Sequence, residues 1–429
     1  VERLIWAITA AGLLATSSVI TTETLDTFRF SKQLAATAEA IVLAAVVVIA
    51  AIYGQFEWPP RWRRDPATAI PLAIVVWTAI TALTAQQHVL SGRTLVWVAT
   101  CAVIFVVIYL TATRRSFGAI YLAIAAAAAN AVFALLQETR VWNPLLPSKL
   151  DLPRHLYTSG FIGNPDDLAS FLVAPALCAA ALLLSGRRRL WGAVGAITIA
   201  AGLAAAQSMA ALAATAAGVI VMAAMRSKRS LAVAAAVLVI AGASTVAVFG
   251  NIREKVSAVP SLIRQIRHGA DPVLAFENLS SNRLIPSLAA WEMFVRHPLV
   301  GVGPGCYTSE FLFGAICAEL KHPSLRNSGT AYFHFGEAHN DHLQTLAVSG
   351  FPGYLLFLGA AAALTLRTRR RVADDDERAA FARLCGPAVA VAFLVLSLFQ
   401  FPLALAAPMG MFLFVAAHLM GWSGNAAIA

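Results

Sequence analysis

Twelve stretches of this chain are apolar on all sides over roughly the length needed to cross a bilayer, about 20 residues. That feature leaves few folds open. The stretches run over residues 4–21, 34–53, 67–84, 94–113, 117–136, 166–185, 190–207, 209–225, 231–250, 344–366, 383–401 and 404–422. Lipid offers no water to a backbone N–H or C=O, so only helices and closed barrels can cross it. A barrel strand alternates apolar and polar side chains. These runs are rich in Ala, Leu, Val and Ile without alternation, so each is expected to be a helix. Composition agrees: 59% of the 429 residues are hydrophobic and 13% charged, against about 25% charged in soluble domains. The expected fold is an all-α integral membrane protein of about 12 transmembrane helices. The first run follows Arg3 and is shaped like a signal peptide, but it has no clear small-x-small cleavage site and is kept as a helix.

The net charge of +10 does not point to nucleic acid, because the basic residues punctuate the apolar runs as topology signals do. With the N-terminus inside, the inner loops hold Arg61, Arg63 and Arg64, then Arg114 and Arg115, then Arg187 to Arg189, then Arg226, Lys228 and Arg229, and finally the basic stretch from Arg367 to Arg383. The short outer loops hold only Arg29, Lys32 and Arg93. This places both termini in the cytoplasm. Three regions result: helices 1–9 over residues 1–250, a large outer loop over 251–343, and helices 10–12 over 344–429. The loop's charges balance and it holds six of the nine histidines. Ser281-Asn282 ahead of Pro286 reads as a helix start, Leu288 to Val295 is amphipathic, and His297-Pro298 should end that helix. Cys101, Cys178 and Cys385 fall in apolar runs, while Cys306 and Cys317 lie in the loop, where an oxidising compartment would favour a bridge between them.

The sharpest chemical signal is His339-Asn340-Asp341-His342-Leu343-Gln344, followed by Gly350-Phe351-Pro352-Gly353. It stands where the loop enters the tenth span. Free N–H groups and the positive end of a helix favour anions there, and a neutral imidazole in that place can serve as a general base. Position alone leaves a polar helix cap equally open. His334, Glu337, His339, Asp341 and His342 are close in sequence, but their spacing matches no zinc signature, and no metal is expected. Arg283 opens the loop helix and has the planar fork of donors that suits phosphate. Arg154 and His155 precede the turn Gly160 to Pro165 on the same side. No P-loop, nucleophile elbow or zinc-protease helix occurs, and the Gly301 to Gly305 turn follows no strand.

Three of these segments, in this order, resemble the O-antigen ligase family. They are Gly163-Asn164-Pro165-Asp166-Asp167-Leu168-Ala169, then Arg283 with Trp291 and His297-Pro298-Leu299-Val300-Gly301-Val302-Gly303-Pro304-Gly305, then the His339 motif with its Gly-Phe-Pro-Gly. The resemblance spans about residues 154–366. It implies transfer of a polysaccharide from undecaprenyl pyrophosphate to a sugar hydroxyl of lipid A–core, on the periplasmic face of the Gram-negative inner membrane, with no cofactor, metal or ATP. His339 would be the catalytic base and Arg283 a pyrophosphate binder, with Arg154, Asn164, Asn340, His342 and Gln344 as further substrate contacts. One departure stands out. The family commonly carries Ser-Arg at the outer start of the eighth span, and here Ser208 is followed by Met209. Arg154, Arg93 or a loop arginine must supply the second phosphate contact, unless the alignment is offset or the chain diverges.

The expected chemistry is inverting displacement at the anomeric carbon, with arginines stabilising the departing diphosphate. No carboxylate pair suited to hydrolysis was found. An O-antigen polymerase or a protein O-oligosaccharyltransferase of the same superfamily would share the donor and differ in acceptor. A transporter ranks below both, because the spans are nearly free of charge apart from Glu39.

Overall fold

The computed structural model describes residues 1–20, 28–56, 58, 62–112, 117–143, 158–185, 189–280, 282–329, 333–369 and 377–423. Its described secondary structure is helical. Among the described residues, ten helices are long and apolar enough to cross a membrane: α2 (Arg29–Ile52), α3 (Pro66–Leu83), α4 (His88–Ala112), α5 (Gly118–Glu138), α6 (Pro165–Ser185), α7 (Arg189–Ala206), α8 (Met209–Arg226), α9 (Lys228–Val248), α14 (Asp341–Thr368) and α15 (Glu377–Ser397). Two more, α1 (Glu2–Ser18) and α16 (Ala406–Trp422), have 17 residues each. Of the twelve expected spans, ten are thus helices of full crossing length among the described residues, and α16 is a shorter apolar helix. Between α9 and α14 lie α10 (Gly250–Arg267), α11 (Pro272–Leu279), α12 (Leu284–Arg296) and α13 (Tyr307–Lys321).

The bundle is built on close approach. α6 is its axis, with nearly every side chain from Leu168 to Leu182 buried. A Cβ at Gly202 of α7 would meet Ala131 of α5, and one at Gly218 of α8 would meet Leu177 of α6. Between helices in lipid there is little hydrophobic drive, so small residues that let backbones approach supply the attraction through packing. This explains why the runs are so rich in Ala and Gly. At the end of the bundle remote from the loop, Asp65 caps α3 by accepting from the Ala67 N–H at 3.1 Å, takes the Tyr109 hydroxyl at 2.6 Å and pairs with Arg367 at 3.0 Å.

The loop helices have a core of their own. Ile285, Ala289 and Met293 of α12 pack with Tyr307, Phe311 and Ala315 of α13, and with Ala347 of α14. α12 ends at Arg296 before His297-Pro298, as the sequence indicates. Cys306 and Cys317 are both free thiols, which corrects the expected bridge. Cys306 is the N-cap of α13 and Cys317 lies within that helix, eleven residues or about 16 Å further along its axis, well beyond the reach of a disulfide.

The two glycine-rich motifs interlock. Pro352 has no N–H, which orphans the Val348 carbonyl one turn earlier. Gly303 N–H supplies the missing donor at 3.1 Å. Gly350 takes φ 66°, ψ −174° inside α14 and breaks the helix there. Phe351 N–H is thereby turned to Pro298 O at 2.8 Å, and Ala347 O receives Val302 N–H at 2.8 Å. A Cβ at Gly350 would collide with Leu299 O, and one at Gly301 with the backbone of Val348 and Ser349. The turn after α12 is therefore a splint laid into a kinked membrane helix.

Candidate active site

Five helices begin at one patch on the loop side of the bundle: α2, α6, α8, α12 and α14. Each contributes a side chain at or near its first turn, and the convergence of positive helix ends makes the patch an anion-attracting surface before any side chain is counted. Asn164 caps α6 by accepting from the Asp166 N–H at 2.8 Å. That fixes Asp166 and Asp167 in the first turn of α6. Each aspartate then holds one arginine. Arg283, in the cap position of α12, donates to Asp166 Oδ2 at 2.8 Å and to the Phe399 carbonyl at 2.9 Å. Arg29, the first residue of α2, reaches Asp167 Oδ2 at 3.3 Å and Glu337 Oε1 at 4.0 Å. Its guanidinium also lies 5.2 Å from the Phe401 ring centre.

His339 stands between these groups in the left-handed region at φ 52°, and its neighbours fix that conformation. Asn340 caps α14 by accepting from Leu343 N–H at 3.0 Å. Gln344 Oε1 accepts from Ala338 N–H at 2.8 Å, and Ser287 Oγ donates to Ala338 O at 3.3 Å. The buried Asp341 carboxylate accepts from Leu403 N–H at 3.1 Å, and its own N–H donates to Gln400 O at 3.2 Å. The imidazole is wedged edge-on against Phe401, 4.9 Å between centres, and Phe335, 6.2 Å.

Burial pushes the His339 pKa down to about 4. The positive charges of Arg283 and Arg29 push the same way, and Asp166 opposes them. The ring is therefore neutral at neutral pH. Its Nδ1 is buried with no hydrogen-bond partner. Ser208 and Gln400 flank the Asp166 carboxylate as hydrogen-bonding neighbours. A buried polar atom left without a partner costs about 1–3 kcal/mol. An unpartnered ring nitrogen beside two guanidinium groups marks a site built for a polar ligand rather than for packing.

Below the patch, a cavity of about 500 Å³ runs between α3, α4, α14, α15 and α16. Glu337 and Gln344 line its upper end, Trp77, Trp97 and Phe357 its length, and Leu364 its far end. Its lining is mainly apolar, as a lipid chain requires.

The sequence-derived candidates fall into groups. His339 and Arg283 face the same patch. Asn164, Asn340 and Gln344 adjoin it, and their observed bonds are to the backbone, so they shape the loops that carry the reactive groups. His342 is turned away. Its Nε2 donates to Leu394 O at 2.9 Å, which leaves Nδ1 to accept from Tyr354 O–H at 3.0 Å. Both ring nitrogens of His342 are thus engaged inside the bundle. Arg154 lies outside the described residues. Among the described residues no group of three or more His, Cys, Asp or Glu side chains is placed to hold a metal ion. His334 packs edge-on against Phe311, 5.4 Å between centres, while His342 points to Tyr354.

Sequence reasoning missed Arg29, Asp166, Asp167, Ser208 and Gln400 as one cluster. Arg29 was counted only as an outer-loop charge. The available signal was two acids in succession at a helix start within nearly uncharged spans, which require cations from elsewhere in the chain.

Residues 193–358 match the sequence profile of the family described as O-Antigen ligase. No match was found among curated proteins. The matched segment runs from α7 into the second half of α14 and contains both Arg283 and His339. Arg29, Asp166, Asp167 and Gln400 lie outside it. The chain thus has many helices long and apolar enough to span a membrane and matches, over residues 193–358, the O-antigen ligase family profile.

Proposed function

We propose that this protein transfers a glycan from a polyprenyl diphosphate to a sugar hydroxyl of lipid A–core, as an O-antigen ligase of the Gram-negative inner membrane, with the His339 patch facing the periplasm. One observation carries the reading. A neutral imidazole with a buried, unpartnered Nδ1 sits near two guanidinium groups, beside an apolar cavity lined at one end by Glu337, Asp341 and Gln344. The prenyl chain occupies the cavity, and the diphosphate lies at the patch. Arg283 and Arg29 turn from Asp166 and Asp167 to the phosphates, so Arg29 fills the role that the family assigns to the residue after Ser208. His339 accepts the proton of the acceptor hydroxyl as its oxygen bonds to the anomeric carbon. The anomeric C–O bond breaks with inversion, and the electron pair leaves with the diphosphate. Negative charge grows there while positive charge grows on the imidazole, and the arginines are placed for the first of these changes. Asp166 is placed for the second.

The test is glycan transfer by purified protein from undecaprenyl pyrophosphate–linked glycan to lipid A–core, in chelator and without nucleotide. Transfer by the native chain and none by a folded His339→Ala supports the reading. Undiminished transfer by His339→Ala removes His339 from the chemistry. Transfer only to a growing glycan or to a protein acceptor reassigns the reaction to a polymerase or a protein-glycosylating enzyme.

A further inference from the structure

α10 is unlike its neighbours. It follows α9 after a single extended residue, Phe249. Among the spanning helices α9 packs substantially against α8 alone, and it has no buried residue along its 21 positions, so most of its surface faces lipid. α8 starts in the site at Ser208, and two passes through the membrane bring the chain back to the same face at Val248. α10 therefore begins at the membrane surface on the side of the site. Arg253 stays at the junction and donates to the Val246 carbonyl at 3.3 Å and to that of Ala247.

The sequence of α10 suits that level. At about 100° per residue, Val256, Val259, Ile263 and Ile266 fall within one arc of roughly 80°. All four are exposed, at 42%, 38%, 46% and 38%. Arg253, Arg264 and Arg267 lie along one flank of this stripe and Lys255 along the other, while Glu254 is on the far side. Basic residues beside an apolar stripe allow the stripe to enter the acyl boundary while the cations reach phosphates. A water-facing helix would gain nothing from four exposed branched aliphatics in register.

We propose that α10 lies flat on the leaflet at the site's face and that its basic flanks bind anionic lipid headgroups. Continuity with the lipid-facing α9 fixes its height, and charge fixes its preference for anionic lipid. α11 follows α10, and its buried Glu277 accepts from the Leu284 and Ile285 N–H groups at 2.8 and 3.2 Å. The anchored helix is thereby tied to the turn that presents Arg283.

The experiment uses the full chain in nanodiscs of phosphatidylcholine, alone or mixed equally with phosphatidylglycerol. A fluorescent amino acid is placed at Ile263 and, separately, at Gln265 on the opposite face. The expected result is quenching of the Ile263 probe by bromine-labelled lipid and not by aqueous iodide, with the reverse at Gln265. Phosphatidylglycerol should deepen the Ile263 probe. Each of Arg264→Gln and Arg267→Gln should raise the phosphatidylglycerol content needed by about fivefold. Iodide quenching of both positions, which a helix held in water or docked on a soluble partner would give, overturns the proposal. Equal burial in both lipid mixtures overturns the headgroup preference.

Discussion

Lowering the pH separates this imidazole from an ordinary one. Its pKa of about 4 replaces a usual value near 6.5. At pH 5.5 an ordinary histidine would be only about 9% neutral, whereas one with a pKa near 4 is about 97% neutral. The direction follows from which form reacts. In the proposed mechanism the base is the neutral ring, so activity is complete above the pKa and falls only as the pH drops through it. Both donor phosphates are substituted and carry no group that titrates in this window. Initial transfer rates at low substrate, between pH 4 and 7.5, report the free enzyme's kcat/KM profile. The expected acid limb has its midpoint near 4, with activity at pH 5.5 close to that at pH 7. A midpoint near 6.5, with a loss of about tenfold at pH 5.5, would show that burial and the two guanidiniums do not act on the catalytic base.

The same electrostatics predicts that Arg29→Gln removes one of the charges depressing His339 and moves the acid limb to higher pH. Its lost phosphate contact, about 1.5–3 kcal/mol for a charged hydrogen bond, should raise the donor KM by roughly tenfold or more; an unchanged KM and profile would exclude Arg29 from the site. Gly350→Ala introduces strain of about 1–3 kcal/mol at a backbone conformation open essentially to glycine. It also displaces the Leu299 carbonyl, so about 3–5 kcal/mol should be lost in total with the splint's hydrogen bonds. Thermal unfolding of the purified protein in detergent checks this, and a wild-type midpoint would refute the interlock. His342→Phe should lower the same midpoint through two lost hydrogen bonds while the transfer rate per folded molecule holds; a stable but inactive variant would place His342 in the chemistry.

The spans were legible because lipid imposes one rule on every crossing segment, and the rule is written in runs of about 20 residues. His339 and Arg283 were legible because each stands at a helix start on the side that the arginine pattern marks as outer. The partners of those residues were not. Arg29 and Asp167 are 138 positions apart, and nothing local in either sequence pairs them. The bonds of His342 were also hidden, because the Leu394 carbonyl that it meets becomes a neighbour only when α14 and α15 pack. The glycine turn at 301–305 and the Gly-Phe-Pro-Gly segment were both visible as motifs. That one completes the hydrogen bonding of the other is a tertiary fact. The expected Cys306–Cys317 bridge failed because compartment and proximity in sequence say nothing of the helical turns between them.

The splint in α14 also bears on how the chain is made. A helix broken at Gly350 and Pro352 enters the bilayer with its Ala347 and Val348 carbonyls unmet. Their donors, Val302 and Gly303, lie some 45 positions earlier in the chain. Synthesis from the N-terminus completes the loop first, so the donors are already made when the broken helix arrives. Cutting the chain between α13 and α14 and supplying the second piece ahead of the first would present the membrane with a helix that cannot complete its own backbone. Order of synthesis is thus part of what this fold requires.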